Sequence, residues 1–283
     1  MTLRRALRGM LTPTEQQALI GSFDVIGTIA KIEIPPALRK HEKRIAAAAR
    51  DLNPAIRTVV RKAGAYHGKY RLQKVKILAG ERTKVTTHRE SGLSITLDIE
   101  QCYFSVRLSS ERLRIAQQIQ KGEKVLVMFS GVGIYPLILA KHSQAAHIWG
   151  IELNRIAHKY GLLNLQKNKI RNVTLLPGDV RKVLPKLKRK FDRILMPLPM
   201  EAEKFLPLAV KYLKGSGKVH LYTFQPEAEI GTIPEKVSSM LNRSTKARLL
   251  RTVKCGAYAS RVYRVCLDLQ ISKRTTQHRP KLR

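Results

Sequence analysis

The run Val125-Leu-Val-Met-Phe-Ser-Gly-Val-Gly-Ile-Tyr135, with Glu152 following Gly131 by 21 residues, decides the fold. Val125 to Phe129 reads as a buried strand that runs into a glycine turn and then a helix. A second apolar strand, His147 to Ile151, ends at the acid. This is how a Rossmann-like sheet holds a nucleoside: Gly131 and Gly133 let the backbone approach the ligand, and a carboxylate accepts hydrogen bonds from ribose hydroxyls. A dinucleotide turn wants a third glycine, where Pro136 stands. The turn therefore suits a ligand without a pyrophosphate, and S-adenosylmethionine is the obvious one.

Downstream the units keep alternating. Strands are expected over 173–177, 191–196 and 218–224, and helices over 133–142, 154–168 and 202–213. Residues 249–254 and 262–270 read as a closing antiparallel pair. Alternation of this kind predicts an α/β fold, a Rossmann-like, doubly wound, mostly parallel sheet, over residues 101–271. Upstream, Thr12-Pro13 reads as a helix N-cap and first helical position. Phe23 to Ile34 alternates like a strand, with Gly27 at a turn or bulge, and a basic helix follows over about 38–51. Strands over 58–62, 74–79 and 94–99 complete a smaller α+β domain over 21–100. Residues 1–20 are expected to be a separate basic segment and 272–283 a loose basic tail.

The 283 residues carry 54 Lys+Arg against 20 Asp+Glu, a net charge of +34 spread along the chain. Such a charge opposes compaction and calls for an acidic partner, with nucleic acid foremost. Cys102, Cys255 and Cys266 show neither zinc nor disulfide spacing, so no metal is expected and a reducing cytosol fits best. No apolar run is long enough to span a membrane, and the first ten residues lack the apolar core of a secretory signal. A monomeric cytoplasmic protein is expected.

Beyond the glycine turn, Asp179 ends the third strand, where it can bond an adenine amino group, cap the helix over 180–187, or do both. Met196-Pro-Leu-Pro199 ends the fourth strand, where prolines fix the backbone and aim carbonyls. By spacing alone Glu111 is an ordinary acid in a first helical turn, and Arg107, Arg112 and Arg114 are solvated or phosphate-binding.

Taken in order, Tyr103-Phe-Ser-x-Arg-Leu-x-x-Glu111-Arg112, Gly122-Glu-x-Val-x-x-Met-Phe-x-Gly-Val-Gly133, Glu152-x-Asn154 and Met196-x-Leu-Pro199 resemble the archaeal and eukaryotic tRNA guanine-37 N1-methyltransferases. Gly68-Lys-Tyr-Arg71, Leu78-Ala-Gly-Glu-Arg82 and Thr86-Thr-His-Arg-Glu90 agree with that family's second domain, so the resemblance covers about residues 21–225. It implies an S-adenosylmethionine-dependent enzyme acting on the anticodon stem-loop of tRNA. On the matching positions, Glu111 is the general base, Arg71 holds guanine O6, and Tyr103 lines the target or cofactor pocket. Phe129, Gly131, Gly133, Glu152, Asp179 and Pro197 fall on cofactor positions, and Arg107, Arg112, Pro199 and His88 on the tRNA side. Two positions depart from the family: Val127 replaces an acid in the first cofactor strand, and Pro197 replaces an asparagine that contacts the target base. Related activities in the family are methylation of a tricyclic wyosine precursor and aminocarboxypropyl transfer.

Overall fold

The computed structural model describes residues 1–273 except Pro199 and Arg243, with Pro234 by backbone alone. Met196-Pro-Leu-Pro199 is thus described only to Leu198, and the tail expected over 272–283 lies outside the described residues beyond Lys273, which itself ends a strand. The first part of the chain forms α1 (Leu3–Ala6), α2 (Pro13–Ala18), β1 (Asp24–Ile26), β2 (Ile29–Ile32), α3 (Glu42–Asp51), β3 (Thr58–Lys62) and β4 (Val75–Gly80). The four strands make one sheet in chain order, with β2 and β3 parallel and the other pairs antiparallel. The alternation over 23–34 is therefore a hairpin rather than one strand. It turns at Gly27, whose φ of +56° and close approach to Thr86 leave no room for a Cβ.

Residues 1–20 are not a separate segment. Leu3, Leu7, Leu11 and Leu19 are buried in one core with Ile32, Ile45 and Ile56. Thr12 and Glu15 close a capping box that starts α2. The basic residues masked an apolar stripe that only a neighbouring sheet could reveal.

The hairpin of β5 (Val85–Glu90) and β6 (Leu93–Asp98) joins neither larger sheet. Its β6 edge is hydrogen-bonded by side-chain amides instead of a strand: Asn164 exchanges bonds with Thr96 at 2.8 and 3.0 Å, and Asn168 with Ser94 at 2.9 and 2.8 Å. Both asparagines lie on or just past the helix Arg155–Lys167 of the second part, so this hairpin belongs to the large domain. The physical boundary falls near residue 84 and not at 100.

The large domain continues through α4 (Ser109–Ala116), β7 (Lys124–Met128), α5 (Ile134–His142), β8 (His147–Glu152), α6 (Arg155–Lys167), β9 (Val173–Pro177) and α7 (Val180–Leu187). It ends with β10 (Phe191–Met196), α8 (Leu206–Tyr212), β11 (Leu213–Pro226), α9 (Ile233–Ser239), β12 (Thr245–Ala259) and β13 (Val262–Lys273). The sheet order is β12-β13-β11-β10-β7-β8-β9, with β13 antiparallel to both its neighbours and the pairs from β11 to β9 parallel. Both faces are covered. Val125 and Val127 pack with α4, α5 and α6, while Leu126 and Met128 pack with α7, α8 and α9. Strands buried on both faces read as continuous apolar runs, which is why β7 to β10 were legible. From β7 the chain winds outward to β8 and β9, then returns to β10 on the other side. That reversal opens a crevice at the carboxyl ends of β7 and β10, where open α/β sheets bind ligands.

A bidentate ion pair ties the β5–β6 hairpin to α4. Arg112 Nε and Nη2 donate to Glu90 at 2.7 and 2.6 Å, and both side chains are buried. Burial pushes the Glu90 carboxyl up, but bonds from His88 and Arg112 outweigh it and hold it below the usual range. Its contribution to stability is complete above the unfolded pKa of about 4.3 and is lost as pH falls through the lower folded value. Glu90→Gln strands a buried guanidinium and is expected to lower stability by about 3–5 kcal/mol in urea unfolding. Replacing both partners with apolar residues is expected to be milder; a double loss equal to the sum of the two single losses would show that the pair is not coupled.

Candidate active site

The crevice is walled by four segments that lie apart in sequence. The first is the turn after β7. Phe129 has a φ of +64°, a left-handed conformation that a bulky residue adopts only under constraint. Its ring packs edge-on against Phe205, with centroids 5.0 Å apart. Gly131 follows with a φ of +58°, and a Cβ there would meet nothing closer than the Tyr103 carbonyl at 4.0 Å. The glycine is required for the turn, and it leaves open the space above it.

The second wall is the end of β8. Glu152 Oε2 accepts the Gly131 N–H at 2.6 Å, and Oε1 accepts the Asn154 N–H at 2.7 Å. The carboxylate thus fixes the glycine turn, and each oxygen keeps a second acceptor site for a ligand hydroxyl. Burial pushes the Glu152 carboxyl above its ordinary value, and the backbone bonds only partly offset this. Asn154, absent from the sequence-based site, lines the same wall. Its side chain caps α6 and donates to the Gln101 carbonyl at 2.8 Å.

The third wall is β9 into α7. Asp179 caps α7 through the Arg181 N–H at 2.9 Å and also pairs with the Arg181 guanidinium, which holds its carboxyl below the usual range. Pro197 and Leu198 come from the end of β10 and meet this wall.

The fourth wall comes from the small domain. His67 and Leu72 pair as an isolated bridge, which makes a tight turn that presents Lys69, Tyr70 and Arg71. Arg71 has a φ of +54° and is 8% exposed. Its Nε and Nη1 are buried without a hydrogen-bond partner. The guanidinium lies 5.2 Å from the centroid of the Tyr103 ring and 5.4 Å from that of Phe224. A buried cation left with open donors is costly unless something absent supplies acceptors.

The structure therefore brings together Arg71, Tyr103, Phe129, Gly131, Glu152, Asp179 and Pro197 around one cavity. Five expected site residues lie elsewhere. Gly133 starts α5 with a φ of +81°, and a Cβ would press on Leu137, Gly161 and Leu175; it serves helix packing and does not line the cavity. Arg112 is paired with Glu90 and 2% exposed, so it presents almost no surface to a phosphate. His88 accepts from the Gly27 N–H at 3.3 Å and packs on Phe104, which makes it part of the junction between the hairpins. Arg107 stays on the surface, 2.8 Å from Asp24. Glu111 is buried and does not line the cavity; it accepts from Arg114 at 2.6 and 2.8 Å and from the Tyr222 hydroxyl at 2.7 Å. Pro199 lies outside the described residues.

The Glu111 cluster continues inward. Arg114 also donates to Asp268, His220 Nδ1 donates to Asp268 at 2.7 Å, and Arg193 donates to His220 Nε2 at 2.7 Å. His220, Cys266 and Asp268 have metal-like spacing. Two arginines already compensate this cluster, however, and burial pushes the Cys266 thiol far above its ordinary value. The group is an ion-pair network in character.

This strand order, a buried acid after the second strand and a single open glycine turn define a class I methyltransferase. The chain belongs to the TRM5/TYW2 methyltransferase family. The profile described as the TRM5/TYW2 methyltransferase domain matches residues 86–251, and the TYW2 N-terminal domain matches residues 3–83. The two matches divide at the same place as the packing. The tRNA (guanine(37)-N(1))-methyltransferase Trm5b of Pyrococcus abyssi is 36% identical over 89% of this chain and 75% of its own length. Its crystal structure superposes with a TM-score of 0.84, covering 93% of this chain and 78% of that one at 35% identity. The tRNA 4-demethylwyosine(37)-methyltransferase Taw21 of Saccharolobus solfataricus is 31% identical over 86% of this chain and 93% of its own.

S-adenosylmethionine is the cofactor, and the residues present fit it. Glu152 offers acceptors for ribose hydroxyls, the open Gly131 turn admits close approach, and Phe129 with Phe205 supplies an apolar wall. Ribose bonding needs the ionised Glu152, whose titration burial has moved upward. Cofactor affinity is expected to rise with pH through the mildly acidic range in the native protein and to stay low and flat in Glu152→Gln, as read by calorimetry. A native profile that is also flat would remove Glu152 from this role.

Proposed function

We propose that this protein methylates N1 of guanosine 37 in tRNA, with the anticodon stem-loop as its partner. The observation that carries the reading is Arg71. A buried guanidinium with two unpartnered N–H donors faces the same cavity as the ribose acid Glu152. Guanine N1 carries a proton at neutral pH, so its lone pair is not free to attack. Removing that proton shifts negative charge onto O6, where Arg71 provides preorganised donors in a site shielded from water. When bound, S-adenosylmethionine supplies an electrophilic methyl group. Glu111 is the base in this proposal. Its carboxylate leaves Tyr222 and Arg114 to accept the N1 proton, and Arg114 stays in place through Asp268. Tyr103 offers a face to the extruded base, since loop nucleotides leave their stack at modest cost. The +34 charge supports phosphate binding along the rest of the RNA.

The test is transfer from labelled cofactor to tRNA transcripts bearing G37 or A37, followed by nucleoside mass spectrometry. Label in the G37 transcript alone, recovered as N1-methylguanosine, is expected; equal labelling of both, or of neither, would refute the reading. A second substrate, the tricyclic wyosine precursor, is favoured by the 93% coverage of the 4-demethylwyosine methyltransferase. Aminocarboxypropyl transfer would leave methylthioadenosine instead of S-adenosylhomocysteine, so the cofactor product separates it.

A further inference from the structure

We infer that Arg264 is a second guanidinium of the target site, which holds the phosphodiester beside the extruded base; this rests on the RNA substrate proposed above. Arg264 comes from β13, on the far side of the chain from the small-domain turn. Its Nη2 donates to the Tyr103 hydroxyl at 2.7 Å, and its Nε is buried with no hydrogen-bond partner. Its guanidinium lies 5.4 Å from the centroid of Phe224, the same ring that Arg71 approaches at 5.4 Å.

Among the described residues neither arginine joins an ion pair, whereas Arg107, Arg112, Arg114, Arg181 and Arg193 each pair with a carboxylate. Two uncompensated cations share one aromatic plate, and each keeps a buried donor open. A neutral base can satisfy the donors of one arginine but cannot balance two charges. A nucleotide can do both, because its phosphodiester is always anionic and matches the guanidinium fork. Arg71 lines the cavity and is suited to the base edge; Arg264 stands beside the cavity and is suited to the phosphate. Phe224 stacks at 3.9 Å and 25° on Tyr258, which is 52% exposed, so the plate continues to the surface as a shelf for a neighbouring nucleotide.

The experiment titrates an anticodon stem-loop RNA against the full chain at several salt concentrations, with methyl transfer followed in parallel. Arg264→Gln is expected to weaken RNA binding about tenfold and to lower the slope of log affinity against log salt by about 0.7, the loss of one single-strand phosphate contact. Its kcat at saturating tRNA should stay within about threefold. Arg264→Lys keeps the charge and should keep the slope, and Lys186→Ala, an exposed cation on α7, should change neither reading. RNA affinity and slope unchanged in Arg264→Gln would overturn the inference. So would a fall in kcat alone that Tyr103→Phe reproduces, which would make Arg264 a positioning residue for Tyr103. RNA binding that follows the expected pattern with no methyl transfer would sink the proposed reaction and leave Arg264 standing.

Discussion

Arg71→Ala is expected to lower kcat by about 10²–10³-fold while changing tRNA affinity by less than about tenfold. The asymmetry follows from where the side chain sits. Arg71 is buried on the wall of the cavity that would receive the base, rather than on the open basic surface. The chain has 54 Lys and Arg, so one cation fewer removes little of the sequence-independent attraction to RNA. What it removes is charge stabilisation where negative charge develops, which acts in the transition state and not in ground-state binding. Arg71→Lys should recover little, because an ammonium cannot reproduce the planar fork held against Tyr103 and Phe224. A fall in affinity as large as the fall in kcat would make Arg71 a phosphate contact.

Glu111→Gln is expected to lower kcat by about 10²–10⁴-fold, the usual contribution of a positioned base, with cofactor affinity close to native. The amide oxygen still accepts from the Tyr222 hydroxyl and Arg114 Nη2, and Arg114 keeps Asp268 as its charge partner; only the Arg114 Nε–H loses its acceptor, so a modest loss of stability with the fold retained is expected. Steady-state kinetics with calorimetric cofactor binding separates the outcomes. Native kcat would remove Glu111 from the chemistry. Lost cofactor binding together with lowered stability would assign Glu111 to the network around Tyr222 and Asp268 instead.

The central sheet was legible because its strands are buried on both faces and its turn chemistry is local. Phe129, Gly131, Glu152 and Asp179 all stand at strand ends that hydrophobic periodicity locates. Contacts that span the chain were not legible. Arg112 looked like a phosphate ligand until Glu90, 22 residues earlier, came to lie against it. Arg264 carried no signal, since its partner Tyr103 lies 161 residues away. Gly133 satisfied the motif, yet its φ serves the entry into α5, a distinction that spacing cannot make. The apolar stripe of residues 1–20 was hidden among arginines, because four leucines mark a core only once a sheet receives them. Asn164 and Asn168 were read simply as helix residues, whereas they complete the edge of β6.

The most direct test of the central claim replaces atoms of the target base and leaves the protein intact. Single-turnover methyl transfer is measured on tRNA carrying guanosine, inosine or 2-aminopurine at position 37. Inosine keeps O6 and the N1 proton, and 2-aminopurine has neither. The Arg71–Glu111 account predicts transfer to inosine at a rate comparable to guanosine and none above background to 2-aminopurine. Equal transfer to 2-aminopurine would contradict it.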